Sequence, residues 1–353
     1  MNPRRRLLRI LFAGGLALAL LGPSWHLAKR IRRALRPAPP PPPYGLQLVD
    51  SEGRKLGAAR GPLQLVLDPF TVYRNAPNQT TDHFTVDALG RRGGAVSDRP
   101  AVVVLGGSLV FGQELSRDEE VVTRRMEELL PDRQAWNAGC VGYLSGQELA
   151  FYVHRLRDAP AEVVVVVDGW NELFDAWHFA KRRRGENGFN NQFFEIADRL
   201  AALHGDKRGR TSIAEDPEAF DRLIADYHAN IKDLAEMAAA RGAAFLWVLQ
   251  PELGAKPTRT AGEEAALALW EKHYQYSSRG LSSRYEDLRK RSLTAATSMC
   301  IRVVDAAAAP EFQGGEELFA DPVHLNAAGH RRLAELLARN LPPVRPGSGR
   351  SAN

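Results

Sequence analysis

Residues Ala101-Val-Val-Val-Leu-Gly-Gly-Ser108 decide how the rest of the chain is read. A short, continuous apolar run rich in valine and closed by two glycines suits a strand buried on both faces of a parallel sheet. A strand with one wet face would alternate instead. Glu162-Val-Val-Val-Val-Val-Asp168 is a stronger example, Ala243-Ala-Phe-Leu-Trp-Val-Leu249 and Cys300-Ile-Arg-Val-Val-Asp305 are two more, and Gln134-Ala-Trp-Asn-Ala138 is a weaker fifth. Helical stretches lie between them. Residues 117–130 follow Ser116, an N-cap candidate with Glu119 three positions on. Residues 146–157 carry apolar side chains at 149, 150, 153 and 156, and residues 217–241 end at Gly242, a C′-type glycine. Residues 262–299 read as helix with a break near 277–283, and residues 326–340 start at Asn326 as N-cap. Alternating strand and helix predicts an α/β chain, a doubly wound three-layer α/β/α sandwich around a mainly parallel five-stranded sheet.

The chain has 353 residues, 44% hydrophobic and 25% charged, values that exclude wholesale disorder and collagen-like structure. Its net charge of +5 is unevenly distributed. Residues 1–36 hold nine Lys/Arg and no acid, which leaves 38 basic against 42 acidic residues in the remainder, a net of −4. The basic total is therefore no argument for nucleic-acid binding, and no nucleic-acid partner is expected. Residues 10–28 carry no formal charge and are flanked by Arg and Lys. At about 1.5 Å per residue a helix of that length matches the roughly 30 Å hydrocarbon core. Gly14, Gly15, Gly22 and Pro23 weaken the span. The reading adopted is an uncleaved membrane anchor; the rivals are a cleaved signal peptide, for which no good small-x-small site follows, and a soluble helix. Four basic residues before the span and five after it leave its orientation open. Six prolines in residues 37–43 predict a stiff, extended spacer. The expected organisation is an anchor over 1–36, a linker over 37–43, an irregular lead-in with a few strands over 44–98, the α/β domain over 99–342 and a disordered tail over 343–353.

Ligands bind such sheets beyond the carboxyl ends of the strands, so the residues after each strand locate the chemistry. After the first comes Gly106-Gly107-Ser108-Leu109-Val110-Phe111-Gly112, a sharp turn that exposes a hydroxyl. The G-x-G-x-x-G fingerprint fails at Ser108, and the hydrolase elbow G-x-S-x-G fails at Val110. After the second comes Asn137-Ala138-Gly139-Cys140-Val141-Gly142-Tyr143, and after the third Asp168-Gly169-Trp170-Asn171-Glu172. Asp321-Pro322-Val323-His324 places a carboxylate three residues before an imidazole, just ahead of the last helix. Each is innocent as a turn, cap or surface residue, but together they supply the parts of acyl transfer. Serine needs a base to become a nucleophile, which His324 offers, and Asp321 can orient that imidazole. The tetrahedral oxyanion needs donors already aimed at it, which the Ser108 N–H, the Gly142 N–H and the Asn171 amide offer.

These four blocks, in this order, resemble the SGNH/GDSL hydrolase superfamily over about residues 85–340, including an Ala88-Leu-Gly-Arg-Arg-Gly93 lead-in. The resemblance implies the flavodoxin-like SGNH fold with sheet order 2-1-3-4-5, Ser108 as nucleophile, Asp321 and His324 as the rest of the triad, and an oxyanion hole of Ser108, Gly142 and Asn171. Gly139 competes with Gly142 for that place; Gly142 fits the spacing from Asn137 better. Two positions depart from the family: Gly107 stands where it has Asp before the serine, and Glu172 where it has Asp after the asparagine. The family's sheet order puts Cys140 and Cys300 at opposite edges, so no disulfide between them is expected.

No cofactor is expected. His324 and His330 are six apart without an H-E-x-x-H pattern, so no metal site is expected either. Lys181-Arg-Arg-Arg184 reads as solvated surface, and Trp170, Trp177 and Phe179 as core sooner than as a sugar-binding cleft. The functional expectation is a serine esterase that removes O-acyl groups from a surface or secreted carbohydrate, held at a membrane through its N-terminal helix with the catalytic body outside the cytoplasm. An O-acyltransferase with the same triad, and a catalytically idle glycan-binding protein of the same fold, are the alternatives.

Overall fold

The valine-rich runs form the centre of the molecule. In the computed structural model the described residues are 46–49, 62–93, 97, 99–178, 217–274 and 278–343, all within the unit Pro42–Asn353. The lead-in holds β1 (Leu46–Val49), β2 (Leu63–Asp68), β3 (Val72–Asn75), β4 (Gln79–Thr80) and β5 (Thr85–Val86), arranged as a three-stranded sheet β1-β2-β3 and a β4-β5 pair. The main sheet comprises β6 (Ala101–Gly106), β7 (Gln134–Gly139), β8 (Ala161–Asp168), β9 (Ala244–Leu249) and β10 (Val303–Asp305). Its order is β10-β9-β8-β6-β7 and every neighbouring pair is parallel, which is the expected 2-1-3-4-5 arrangement.

The helices are α1 (Ser108–Phe111), α2 (Val122–Leu129), α3 (Ser145–Arg155), α4 (Trp170–His178), α5 (Pro217–Ala240), α6 (Ala261–Tyr274), α7 (Ser278–Met299) and α8 (Ala327–Asn340). Strand pleating divides the sheet's side chains between two cores. Val103, Leu105, Val164, Val166 and Trp247 join Tyr152, Tyr227 and Leu288 from α3, α5 and α7. Val102, Val104, Val163, Val165 and Val248 join Met126, Leu333 and Leu337 from α2 and α8. Both faces are covered, so the strands read as unbroken apolar runs, and each fully buried valine contributes about 1.5–3 kcal/mol.

The helical reading of 117–130 is corrected at its start. Residues Asp118–Glu120 form a separate 3-10 turn, Val121 is extended, and α2 begins at Val122 without a cap from Ser116. The Asp118 carboxylate is drawn instead to Arg92 Nε (2.9 Å) and to Thr85 N (2.8 Å), a tertiary pull that local pattern does not show. The break expected near 277–283 is also corrected, since residues 278–283 lie within α7; the end signals of α5 and α8 hold. Asn326 Oδ1 accepts from Gly329 N at 2.9 Å at the start of α8, and Gly242 closes α5 at φ 79°. Cys140 is buried behind β7, burial pushing its thiol up to about 12, while Cys300 is exposed ahead of β10; both are free. The proposed anchor, the proline linker and Lys181–Arg184 lie outside the described residues. Among the described residues no helix is long and apolar enough to cross a membrane.

Candidate active site

Strand order assembles the site. β6 lies between β7 and β8, so the three loops carrying Ser108, Gly142 and Asn171 leave adjacent strand ends. Ser108 begins the single turn α1, where its N–H has no intrahelical acceptor. Asn171 sits in the first turn of α4, and its Nδ2 donates to Tyr143 O at 2.8 Å, which ties the β8 loop to the residue following Gly142. A Cβ on Gly107 would overlap the Asn171 carboxamide nitrogen and approach Tyr143 O to 3.4 Å. In this chain a side chain at 107 would need the carboxamide to shift, so glycine here lets it lie close against the Ser108 turn.

The geometry separates the two competing glycines. Gly139 is buried, its N–H is taken by Asn137 Oδ1 at 3.1 Å, and a Cβ there would overlap the Phe111 backbone. Gly142 is exposed, with φ at 75°, a region that favours glycine, and its N–H has no partner among the described residues. Gly142 alone has a donor to offer.

Asp321 and His324 reach Ser108 on a tight reversal ahead of α8. Phe319 bridges Leu325, Ala320 N donates to His324 O at 2.9 Å, and Leu253 N donates to Pro322 O at 2.9 Å, clamping the turn to the segment beyond β9. Asp321 Oδ1 accepts from Val323 N and His324 N, both at 2.8 Å, and its Oδ2 meets His324 Nδ1 at 2.7 Å. His324 Nε2 lies 2.7 Å from Ser108 Oγ. With Nδ1–H donated to the carboxylate, Nε2 is left to accept the serine proton. Burial favours a neutral ring, but the charge and hydrogen bond of Asp321, with the charge of Glu114, outweigh it and hold His324 above its ordinary 6.5. Burial likewise opposes the Asp321 charge, and His324 and the two backbone donors outweigh it and hold that carboxyl low. A chain of carboxylate, imidazole and hydroxyl with these polarities can ionise the serine and then return its proton to a leaving group.

Several residues that the sequence reading left without a role support this arrangement. The guanidinium of Arg92 is fully buried; besides Asp118, it donates to Phe111 O (3.1 Å), Gly112 O (2.6 Å) and Leu115 O (3.0 Å), fixing the end of α1. Asn75 Nδ2 donates to Gly139 O and Gly90 O, each at 2.9 Å. The lead-in is thus wired into the nucleophile turn. Glu172 Oε1 accepts from Ser145 N at 2.6 Å, joining the helix of Asn171 to the start of α3. Below it, Glu148 and Asp168 are buried side by side; Asp168 accepts from Tyr227 OH at 2.6 Å and Trp247 Nε1 at 3.2 Å. Burial, the largest influence, pushes both acids well above the ordinary range; the charges of Asp168 and Glu172 add to it at Glu148, and that of Glu172 adds to it at Asp168. Among the described residues neither Glu148 oxygen has a donor to accept from, so burial favours the protonated form of this acid. Trp170 is core, edge-on to Tyr285. The side chain of Trp177 and the whole of Phe179 lie outside the described residues. A second carboxylate, Glu114, comes within 4.8 Å of the Asp321–His324 pair.

The GDSL-like lipase/acylhydrolase family matches residues 104–332, a span that takes in Ser108, Gly142, Asn171, Asp321 and His324. Among curated proteins none is similar in sequence to this chain. It is similar to the solved structure of a member of the lipolytic protein G-D-S-L family from Veillonella parvula, at 11% identity, with 68% of this chain and 96% of that chain covered and a TM-score of 0.42. It is also similar to the lipase/acylhydrolase from Enterococcus faecalis, at 14% identity, 70% and 99% coverage and a TM-score of 0.40. A catalytic mutant of an acetylxylan esterase from Geobacillus stearothermophilus is similar at 12% identity, 69% and 95% coverage and a TM-score of 0.43. The family match spans more than half of the chain. The chain belongs to the GDSL-like lipase/acylhydrolase family and is a hydrolase acting on ester bonds.

Proposed function

We propose that the protein is a serine esterase that works through an acyl-enzyme and removes O-acyl groups from a surface or secreted carbohydrate. The observation that carries the serine mechanism is the unbroken hydrogen-bonded line from Asp321 through His324 to Ser108 Oγ, 2.7 Å at each step. In this reading His324 Nε2 takes the Ser108 proton as Oγ attacks the ester carbonyl. The carbonyl oxygen becomes an anion facing the Ser108 N–H, the Gly142 N–H and the free N–H of the Asn171 amide. When the tetrahedral adduct collapses, the C–O bond to the alcohol breaks and the imidazolium protonates the departing oxygen. Water then gives its proton to His324, attacks the acyl-serine and releases the acid, restoring the serine hydroxyl.

The carbohydrate and the location rest on other grounds. Uncharged residues 10–28 between basic flanks, followed by the proline spacer, support a body held at a membrane by a single N-terminal helix; outside the cytoplasm such a body would meet O-acylated glycans. The test is labelling of the full chain in detergent by a serine-reactive fluorophosphonate, together with acetate release from an O-acetylated polysaccharide. Both should be lost in Ser108→Ala. Labelling that persists in that variant would place the reactive serine elsewhere.

A further inference from the structure

Glu114 lies six residues beyond Ser108, past α1 and Gly112. The chain turns there so that one Glu114 carboxylate oxygen comes within 4.8 Å of a ring nitrogen of His324 and of a carboxylate oxygen of Asp321. The two acids are placed very differently. Asp321 receives two backbone N–H groups and the imidazole. Glu114 is half-buried and, among the described residues, has no hydrogen-bond donor and no Lys or Arg partner. The neighbouring cation, Arg92, is committed to Asp118 and to backbone carbonyls, and His330 uses its Nδ1 to accept from Val122 N at 3.1 Å. The mouth of the site therefore holds one carboxylate matched by the imidazole and one left unmatched.

An ester seated on Ser108 must hand its alcohol oxygen to His324, which puts the alcohol in the field of that unmatched charge. A carboxylate near the alcohol would be repelled, with no cation among the described residues in place to neutralise it. An ammonium, or the O–H donors of an uncharged sugar, would supply the partner Glu114 lacks. We propose that Glu114 is a specificity-determining residue that sets the charge class of the alcohol: the site takes O-acyl esters of uncharged or amino-bearing sugar units and discriminates against uronates. The inference rests on the esterase reading above. Burial raises the Glu114 carboxyl, His324 lowers it and Asp321 raises it again, so the test is run at pH 8, well above the ordinary carboxylate range.

Three acetate esters separate charge from shape: acetylcholine, its neutral isostere 3,3-dimethylbutyl acetate, and the acetate ester of 4-hydroxybutanoate. With the full-length wild type, kcat/KM should fall in that order. In Glu114→Gln the ratio of the cationic to the anionic ester should drop about tenfold, chiefly because the anion improves, while Glu114→Asp keeps the wild-type order. A ratio in Glu114→Gln within twofold of wild type overturns the inference alone, since the neutral ester is still cleaved. If the Gln variant fails to fold, the wild type decides: raising salt from about 20 mM to about 500 mM should compress the ratio, and a ratio independent of salt overturns it. No turnover of any of the three esters by wild type, with no fluorophosphonate labelling of Ser108, overturns the esterase reading and this inference with it.

Discussion

Gly107 and Asn171 share one space: a Cβ on the first would overlap the carboxamide nitrogen of the second, so the missing side chain of one residue is the seat of the other. Nothing in the backbone angle of Gly107 itself demands glycine, since its φ is −84°. Gly107→Ala should therefore act through Asn171, pushing the carboxamide off its bond to Tyr143 O and out of the oxyanion position. The expected loss is in kcat, about 10²–10³-fold and close to that of Asn171→Ala, with KM and melting temperature little changed. Steady-state kinetics on a neutral acetate ester, set beside thermal melts of both variants, checks this. A kcat for Gly107→Ala near wild type would break the link.

The pH profile follows from which form of His324 works. The ring must be neutral to accept the Ser108 proton, and the carboxylates around it favour the charged form. Activity should therefore rise with pH and reach half its plateau above 6.5, the ordinary histidine value. Removing the charge of Asp321 in Asp321→Asn should lower that midpoint and cut kcat by about 10³–10⁴-fold. Removing the charge of Glu114 should lower the midpoint while leaving the Asp321–His324 bond in place. The measurement is kcat/KM against pH for the three proteins.

The buried Glu148–Asp168 pair predicts a stability effect of the opposite pH sense from ordinary acids. A carboxyl raised on folding contributes stability that is full below its unfolded value, here 4.5 for Glu148, and is lost as pH rises through its folded value. Glu148→Gln keeps a donor toward Asp168 but has no proton to lose. Its stability relative to wild type should grow between pH 5 and pH 8, by on the order of 1 kcal/mol. Urea unfolding at the two pH values tests this; a difference that stays constant with pH would mean that Glu148 is not the proton holder.

His330 sets the acid side. It is buried in α8 with Nδ1 accepting from Val122 N, and burial, the largest influence, with the charges of Arg92 and His324, holds it down at about 3. A histidine depressed on folding contributes stability that is present above its unfolded value of 6.5 and lost as pH falls toward the folded one. Between pH 6.5 and pH 4 that loss is about 3 kcal/mol. His330→Asn, which can keep an acceptor near the Nδ1 position, should flatten this limb of the stability profile. An unchanged acid limb would assign acid sensitivity to other groups, such as His228, which burial holds at about 4.

Much of the fold was legible because burial on both faces of a parallel strand demands unbroken apolar residues. That is why residues 101–105 and 162–168 announced themselves, and why the polar residues following them marked the site. Less was legible where the partner is remote in the chain. Residues 117–120 look like a helix start until Asp118 turns to Arg92 and Thr85. Arg92 stands in the quoted lead-in and Asn75 in the irregular segment before it, with no role legible for either side chain, since their acceptors at Gly112 and Gly139 lie tens of positions away. Glu114 carries no spacing signal at all, because its neighbours in space belong to the 321–324 turn.

Local chemistry written along the chain was enough to specify five strands, the caps of α5 and α8, and a hydroxyl, an amide, a carboxylate and an imidazole placed at element ends. It favoured Gly142 over Gly139 by spacing from Asn137, but it was not enough to show which of the two N–H groups is already taken, or to bring Ser108 and His324 within 2.7 Å across 216 positions. Those outcomes depend on β6 lying between β7 and β8 and on the reversal at 319–325 folding back over it. A hydrogen bond forms only at a particular distance and angle, and for groups so far apart in the chain those are set by how the layers pack, not by the residues on either side.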